Sequence, residues 1–244
     1  MGNEVEKKLD HTIDYNIPFK HLHSLDHMCK RLHEIENSDG YYQTHCVEHT
    51  ALAHSSVILS ACLLESTINV FFCDKNKRRD IDKNKCRDID KTKDDLIIKM
   101  WKLEIPKTAK YSILNKYEIA LALLNRSGFK KGELIYQNAS LLIKLRNELV
   151  HSDDTIVKYS NGKYEDKNKD KKIKDLEGKF NARKGAEKSI EPFFPYRCFG
   201  HGCAEWSAKS AVNFIKEFYK LAGLASNLTD LQNYIKKREL KLFT

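Results

Sequence analysis

Glycine and proline are scarce in this chain, at 10 and 4 of 244 residues. An all-β architecture with many tight turns needs more of both, so that class is excluded. No run of apolar residues approaches the length needed to span a bilayer, and no membrane is expected. The segment from Met1 to Lys8 is charged and has no apolar signal-peptide core. Glu6 stands where N-myristoylation wants serine or threonine. The seven cysteines are odd in number and fall in no framework, which fits a reduced, cytoplasmic chain.

What is present points to helices. Hydrophobic residues make up 41% of the chain and charged residues 32%, with a net charge of +9. That balance suits a polyanionic partner, although solvated lysines alone give the same sum. Past Pro18, Phe19, Leu22, Leu25, Met28, Cys29, Leu32 and Ile35 recur at three- and four-residue steps, which predicts an amphipathic helix to about Glu36. Its His23 and His27 share a face, but no further pair supports a metal. Asn37-Ser38-Asp39-Gly40 breaks the helix.

The stretch from about Tyr42 to Cys73 is the most apolar of the chain and predicts a central bundle helix. Glu65 and Asn69, one turn apart, interrupt its latter half. Such a glutamate is either on a narrow solvent edge or buried with a cationic partner. Further amphipathic helices are expected over Tyr111–Asn125, Glu133–His151 and Ala204–Leu224, with a short last one carrying Leu228, Leu231, Tyr234 and Ile235. Leu96 to Leu103 is apolar again, and Pro106 marks a turn.

Two polar stretches separate these elements. Lys75–Asp82 and Lys83–Asp90 form a tandem octamer with a degraded third copy. Between Asp74 and Asp95, nine basic residues nearly cancel seven acidic ones, and almost nothing is apolar. An expanded surface loop is the preferred reading, an RNA-guiding arm the other. Thr155 to Phe180 is lysine-rich, with a hairpin expected around Asn161-Gly162. Lys158 to Glu191 carries eleven basic and seven acidic residues, the more plausible electropositive surface. Cys198, His201 and Cys203 have gaps that could begin a zinc site, but no second ligand pair follows, and a glycine-bearing turn is favoured.

The chemistry concentrates at Arg146-Asn147-Glu148-Leu149-Val150-His151, at the end of a segment whose Ile135, Leu141, Leu142, Leu145 and Leu149 form one stripe. Arginine can fork two N–H bonds onto a phosphate, and histidine exchanges a proton near neutral pH. Asn147 and His151 share a helix face, whereas Arg146 and His151 lie about 140° apart on an ideal helix. Convergence therefore needs a local distortion, the reach of arginine, or a second copy of the site. Arginine and histidine near a helix end also have an ordinary structural explanation in the helix dipole.

Arg-Asn-x-x-x-His resembles the signature of the HEPN family (higher eukaryotes and prokaryotes nucleotide-binding domains). Leu63-Leu64-Glu65-Ser66-Thr67-Ile68-Asn69 looks like the long helix that precedes that motif. The resemblance spans about residues 42–224. It implies an all-α fold: a HEPN-like four-helix bundle with extra helices and two long polar insertions, 74–95 and 155–180, in a single domain over 1–244. It also implies a metal-independent endoribonuclease that needs no cofactor. Arg146, Asn147 and His151 would be its catalytic residues, with Glu65 and Asn69 supporting the cleft. RNA is the implied substrate, cleaved through 2′-hydroxyl attack to 2′,3′-cyclic phosphate ends. A homodimer with the motif at its interface is expected, in a toxin or antiviral defence role with an antitoxin or regulatory protein as a further partner. Two other classes remain: a non-catalytic HEPN-like module that binds a nucleotide or protein, and a helical interaction protein in which the motif is accidental.

Overall fold

A computed structural model describes residues 16–40, 44–81, 96, 99–100, 112–151, 158–160, 163–165 and 173–243. The amino-terminal stretch 1–15, most of the octamer repeat, most of 96–111 with Pro106, and the Asn161-Gly162 turn lie outside the described residues.

The described chain is mostly helical. The helices are α1 (Ile17–Asn37), α2 (Cys46–Ile81), α3 (Ile113–Leu123), α4 (Leu134–Val150), α5 (His201–Ala222) and α6 (Ala225–Lys237). Local signals set their ends. The Asn16 side chain accepts the Phe19 N–H at 3.3 Å to open α1, and Ser112 does the same for Asn115 to open α3. Gly223 adopts φ 71° past the end of α5, which only glycine does freely, and Leu224 N–H then reaches back to Tyr219 O at 2.8 Å. The expected hairpin is present as β1 (Lys158–Ser160) antiparallel to β2 (Lys163–Glu165), with Ser160 opposite Lys163.

Helices α2 and α5 pack on each other, and both also touch α1 and α4. Helix α3 packs against α2 and α5. The apolar stripes read from the sequence face inward: Leu22, Leu25 and Leu32 of α1, Val57, Leu64 and Ile68 of α2, Leu142 and Leu145 of α4 are all buried. An aromatic cluster joins α3 to α5. Tyr117 meets Phe214 and Phe218 edge-on at 5.0 and 4.8 Å, and Phe129 stacks on Phe214 at 4.3 Å. The Tyr117 hydroxyl donates to Leu64 O at 2.8 Å, so its one polar atom is satisfied inside the core.

Several boundaries differ from the sequence reading. The core extends beyond residues 42–224, because α1 supplies buried leucines and Leu231, Ile235, Leu240 and Phe243 close the other side. The insertion expected at 74–95 begins as helix, since α2 runs on to Ile81. The insertion at 155–180 is not wholly solvated: Ile173 and Leu176 are buried in the main core. Residues Cys46–Phe72 are, by length and composition, apolar enough to cross a membrane, contrary to the sequence reading. A central bundle helix meets the same test, and Ala53, Val57, Leu64 and Ile68 of that stretch lie in the protein core.

Candidate functional site

The stripe of α4 decides how its last turn is presented. With Ala139, Leu142 and Leu145 turned into the core, Asn147 is left exposed and Arg146, Glu148 and Leu149 half-buried. The helix ends at Val150. His151 is its exposed C-cap, with φ −120° and ψ 28°, and its N–H still bonds Asn147 O at 2.8 Å. Because φ departs from the helical value near −63°, the ideal 140° separation from Arg146 does not apply to the His151 side chain. Among the described residues, the side chains of Arg146, Asn147 and His151 make no hydrogen bond or ion pair with one another or with a neighbour.

Across from α4, Cys62 of α2 lies within electrostatic range of Arg146. Burial raises the Cys62 thiol above its ordinary range, Arg146 acts to lower it, and Glu65 acts to raise it. Neither of the two polar residues expected to support the cleft is hydrogen-bonded to Arg146. Glu65 accepts a hydrogen bond from Lys116 Nζ of α3 at 2.9 Å rather than from Arg146. Lys116 is buried, and its ammonium needs a counter-charge more than the half-buried Arg146 does. The Asn69 Oδ1 is buried without a hydrogen-bond partner, and no bond joins it to Arg146.

A cleft of about 340 Å³ opens on the other side of the same helix end, lined by His54, Glu148, Leu149, Arg183, Tyr196 and Phe199 among others. It lies between α2, the end of α4 and a strap formed by residues 183–199. His54 packs edge-on against Phe199 at 4.5 Å, and Phe194 meets Phe199 at 5.7 Å. Burial first, and then the neighbouring His49, lower the His54 pKa. His49, a largely buried member of the same lining, shares a hydrogen bond of 2.8 Å with Glu36 through Nε2. The same Glu36 oxygen accepts the backbone N–H of His201 at 2.8 Å, at the first turn of α5. Burial alone would raise the Glu36 carboxyl, but the bonds from His49 and His201 outweigh it and hold the group below the ordinary range.

The strap is closed on itself by backbone bonds. Arg183 N–H donates to Arg197 O at 2.7 Å, and Cys198 N–H to Phe193 O at 2.8 Å. Gly200 permits the approach: a Cβ there would stand 2.6 Å from Glu36 Oε1 and 3.1 Å from the Arg183 Cα. Cys198 and Cys203 are buried thiols. Burial pushes the Cys203 thiol up to about 12 and Cys198 well above its ordinary value, which disfavours the thiolates a metal needs. His201 turns instead toward His33, with ring centroids 4.9 Å apart. Among the described residues, no three His, Cys, Asp or Glu side chains are gathered to hold a metal.

Sequence reasoning found the α4 end but missed the cleft beside it. Its residues come from positions 54, 148, 183 and 196, which no spacing rule connects. The available signal was a histidine, His54, on the most apolar helix of the chain. Compared with family models, with curated proteins and with solved structures, the chain matches none.

Proposed function

We propose that this chain is a metal-independent endoribonuclease of the HEPN type. The observation that carries the reading is the end of α4, where Arg146, Asn147 and His151 stand within six residues and none makes a hydrogen bond or ion pair with another described side chain. Side chains with no protein partner at a helix end are open to a substrate phosphate. In this reading Arg146 clamps the scissile phosphate and Asn147 hydrogen-bonds it or orients a neighbour. The 2′-oxygen attacks phosphorus, the bond to the 5′-oxygen breaks, and His151 takes the proton of the former or gives one to the latter. The products are a 2′,3′-cyclic phosphate and a 5′-hydroxyl.

A single imidazole cannot perform both transfers at once, which favours two copies of the motif facing one cleft in a homodimer. Val150, 50% exposed beside His151, supplies apolar surface for such a contact. A role as a toxin or antiviral effector, held by an antitoxin or regulatory protein, follows from the resemblance alone. The alternative is a non-catalytic module that binds a nucleotide or protein. The test is incubation of the full chain with RNA in EDTA, with His151→Ala alongside. Cleavage that survives EDTA and is lost in the variant supports the enzyme; intact RNA with wild-type protein overturns it.

A further inference from the structure

Resting on the RNA substrate proposed above, we infer that the cleft between α2, the end of α4 and the 183–199 strap is a nucleotide subsite, which holds one base and its phosphate beside the scissile bond. Four observations converge on it. First, the cleft is continuous with the motif, since Glu148 and Leu149, which line it, lie between Asn147 and His151. A ligand there is adjacent to the α4 end without displacing anything from the core.

Second, the lining combines the three kinds of group a nucleotide needs. Tyr196 is 41% exposed and offers a ring face for a base, with Phe194 and Phe199 forming the apolar floor. Arg183 supplies the cation for a phosphate. His54 and Glu148 offer polar atoms to a base edge or a ribose hydroxyl, a carboxylate being suited to an exocyclic amine. His54 makes no hydrogen bond with a described residue, and its depressed pKa leaves it neutral near pH 7, able both to donate and to accept.

Third, the size is restrictive. At about 340 Å³ the volume lies near the lower end for small-molecule clefts, enough for one nucleotide unit and not for a longer stretch. Fourth, the walls are held before any ligand arrives. Glu36 ties His49 to the first turn of α5, and the Arg183 and Cys198 backbone bonds hold the strap in its own fold. A cleft already ordered loses little entropy when it binds. An acidic peptide fits less well, because Glu148 stands in the same cleft as Arg183.

The test uses the full chain and a fluorescent 2′-O-methyl oligoribonucleotide, which can be bound but not cleaved by the proposed route, with adenosine 5′-monophosphate as competitor. Tyr196→Ala should weaken oligonucleotide binding about tenfold, the usual scale of one lost base stack. Arg183→Gln should weaken it and reduce its salt dependence. Melting curves should match wild type for Tyr196→Ala, since the ring is exposed. Magnetization transfer between the base and the Tyr196 ring in the wild-type complex gives a second readout that needs no variant. Competition by the mononucleotide assigns the cleft to any nucleotide, and its failure assigns it to a nucleotide within a chain; both support the subsite. Binding and ring contact without cleavage of ordinary RNA would sink the ribonuclease and leave the subsite standing. Cleavage with KM unchanged in both variants, or no oligonucleotide binding by wild type, would overturn the subsite.

Discussion

Lys116 Nζ donates to Glu65 Oε1 at 2.9 Å, with the ammonium side chain 4% exposed and the glutamate 43%. This pair ties α3 to α2 and gives Glu65 a structural task. The asymmetry of burial makes the two deletions unequal. Glu65→Ala strands a buried ammonium and should cost about 1–3 kcal/mol, less than breaking a fully buried pair because water reaches the carboxylate. Lys116→Met removes the buried charge along with the need for its partner and should be near neutral. Urea unfolding of the two variants checks this; equal losses would show that the pair acts only through packing.

Arg146 and His151 should behave differently from Glu65. His151→Ala should lower RNA cleavage by roughly 10²–10⁴-fold. It should leave the melting temperature almost unchanged, because the exposed side chain has no described partner. Arg146→Ala should be comparably damaging, and Arg146→Lys should rescue poorly, since lysine lacks the planar fork. Substrate carrying 2′-O-methyl groups should resist cleavage. Single-turnover rates beside melting curves distinguish lost chemistry from lost fold, and a strict need for a divalent metal would refute the mechanism.

Acid should destabilise the fold in two stages. Burial lowers the pKa of His21 and His54, and burial is also the largest influence lowering His201, all from an ordinary 6.5. Glu36 lies below its ordinary 4.5 because its hydrogen bonds outweigh burial. A depressed folded pKa means that the unfolded chain binds the proton more readily, so stability is complete above the ordinary value and declines as pH falls. The histidine loss should set in as pH drops through about 6.5, and the Glu36 loss below about 4.5. Melting temperatures between pH 8 and 4 should show both, His54→Gln flattening the first stage and Glu36→Gln the second. A melting temperature that rises on acidification would contradict the assignment.

Gly200→Ala should destabilise the chain by about 1–3 kcal/mol, through forced displacement of packed groups. The added methyl would meet the Glu36 carboxylate at 2.6 Å and the Arg183 backbone at 3.1 Å. The exposed Gly132, where a Cβ meets nothing within 4 Å, should tolerate the same change. Comparison of the two in thermal denaturation isolates the steric effect from the general effect of replacing glycine.

Periodicity alone determined the helices. Leu22, Leu25, Cys29 and Leu32, or Leu142 and Leu145, repeat at helical spacing, and a stripe of that kind has to be buried wherever the chain places it. The Arg146, Asn147 and His151 group was legible for the same reason, being local in the chain. Tertiary packing decided what local pattern cannot encode. It chose Lys116, 51 residues away, over Arg146 as the partner of Glu65. It also brought Glu36 to both His49 and the first turn of α5, and placed His54 opposite Arg183 and Tyr196 in one cleft. Those contacts join segments far apart in sequence, and their energies depend on which charges become buried together, a quantity that exists only once the helices have packed.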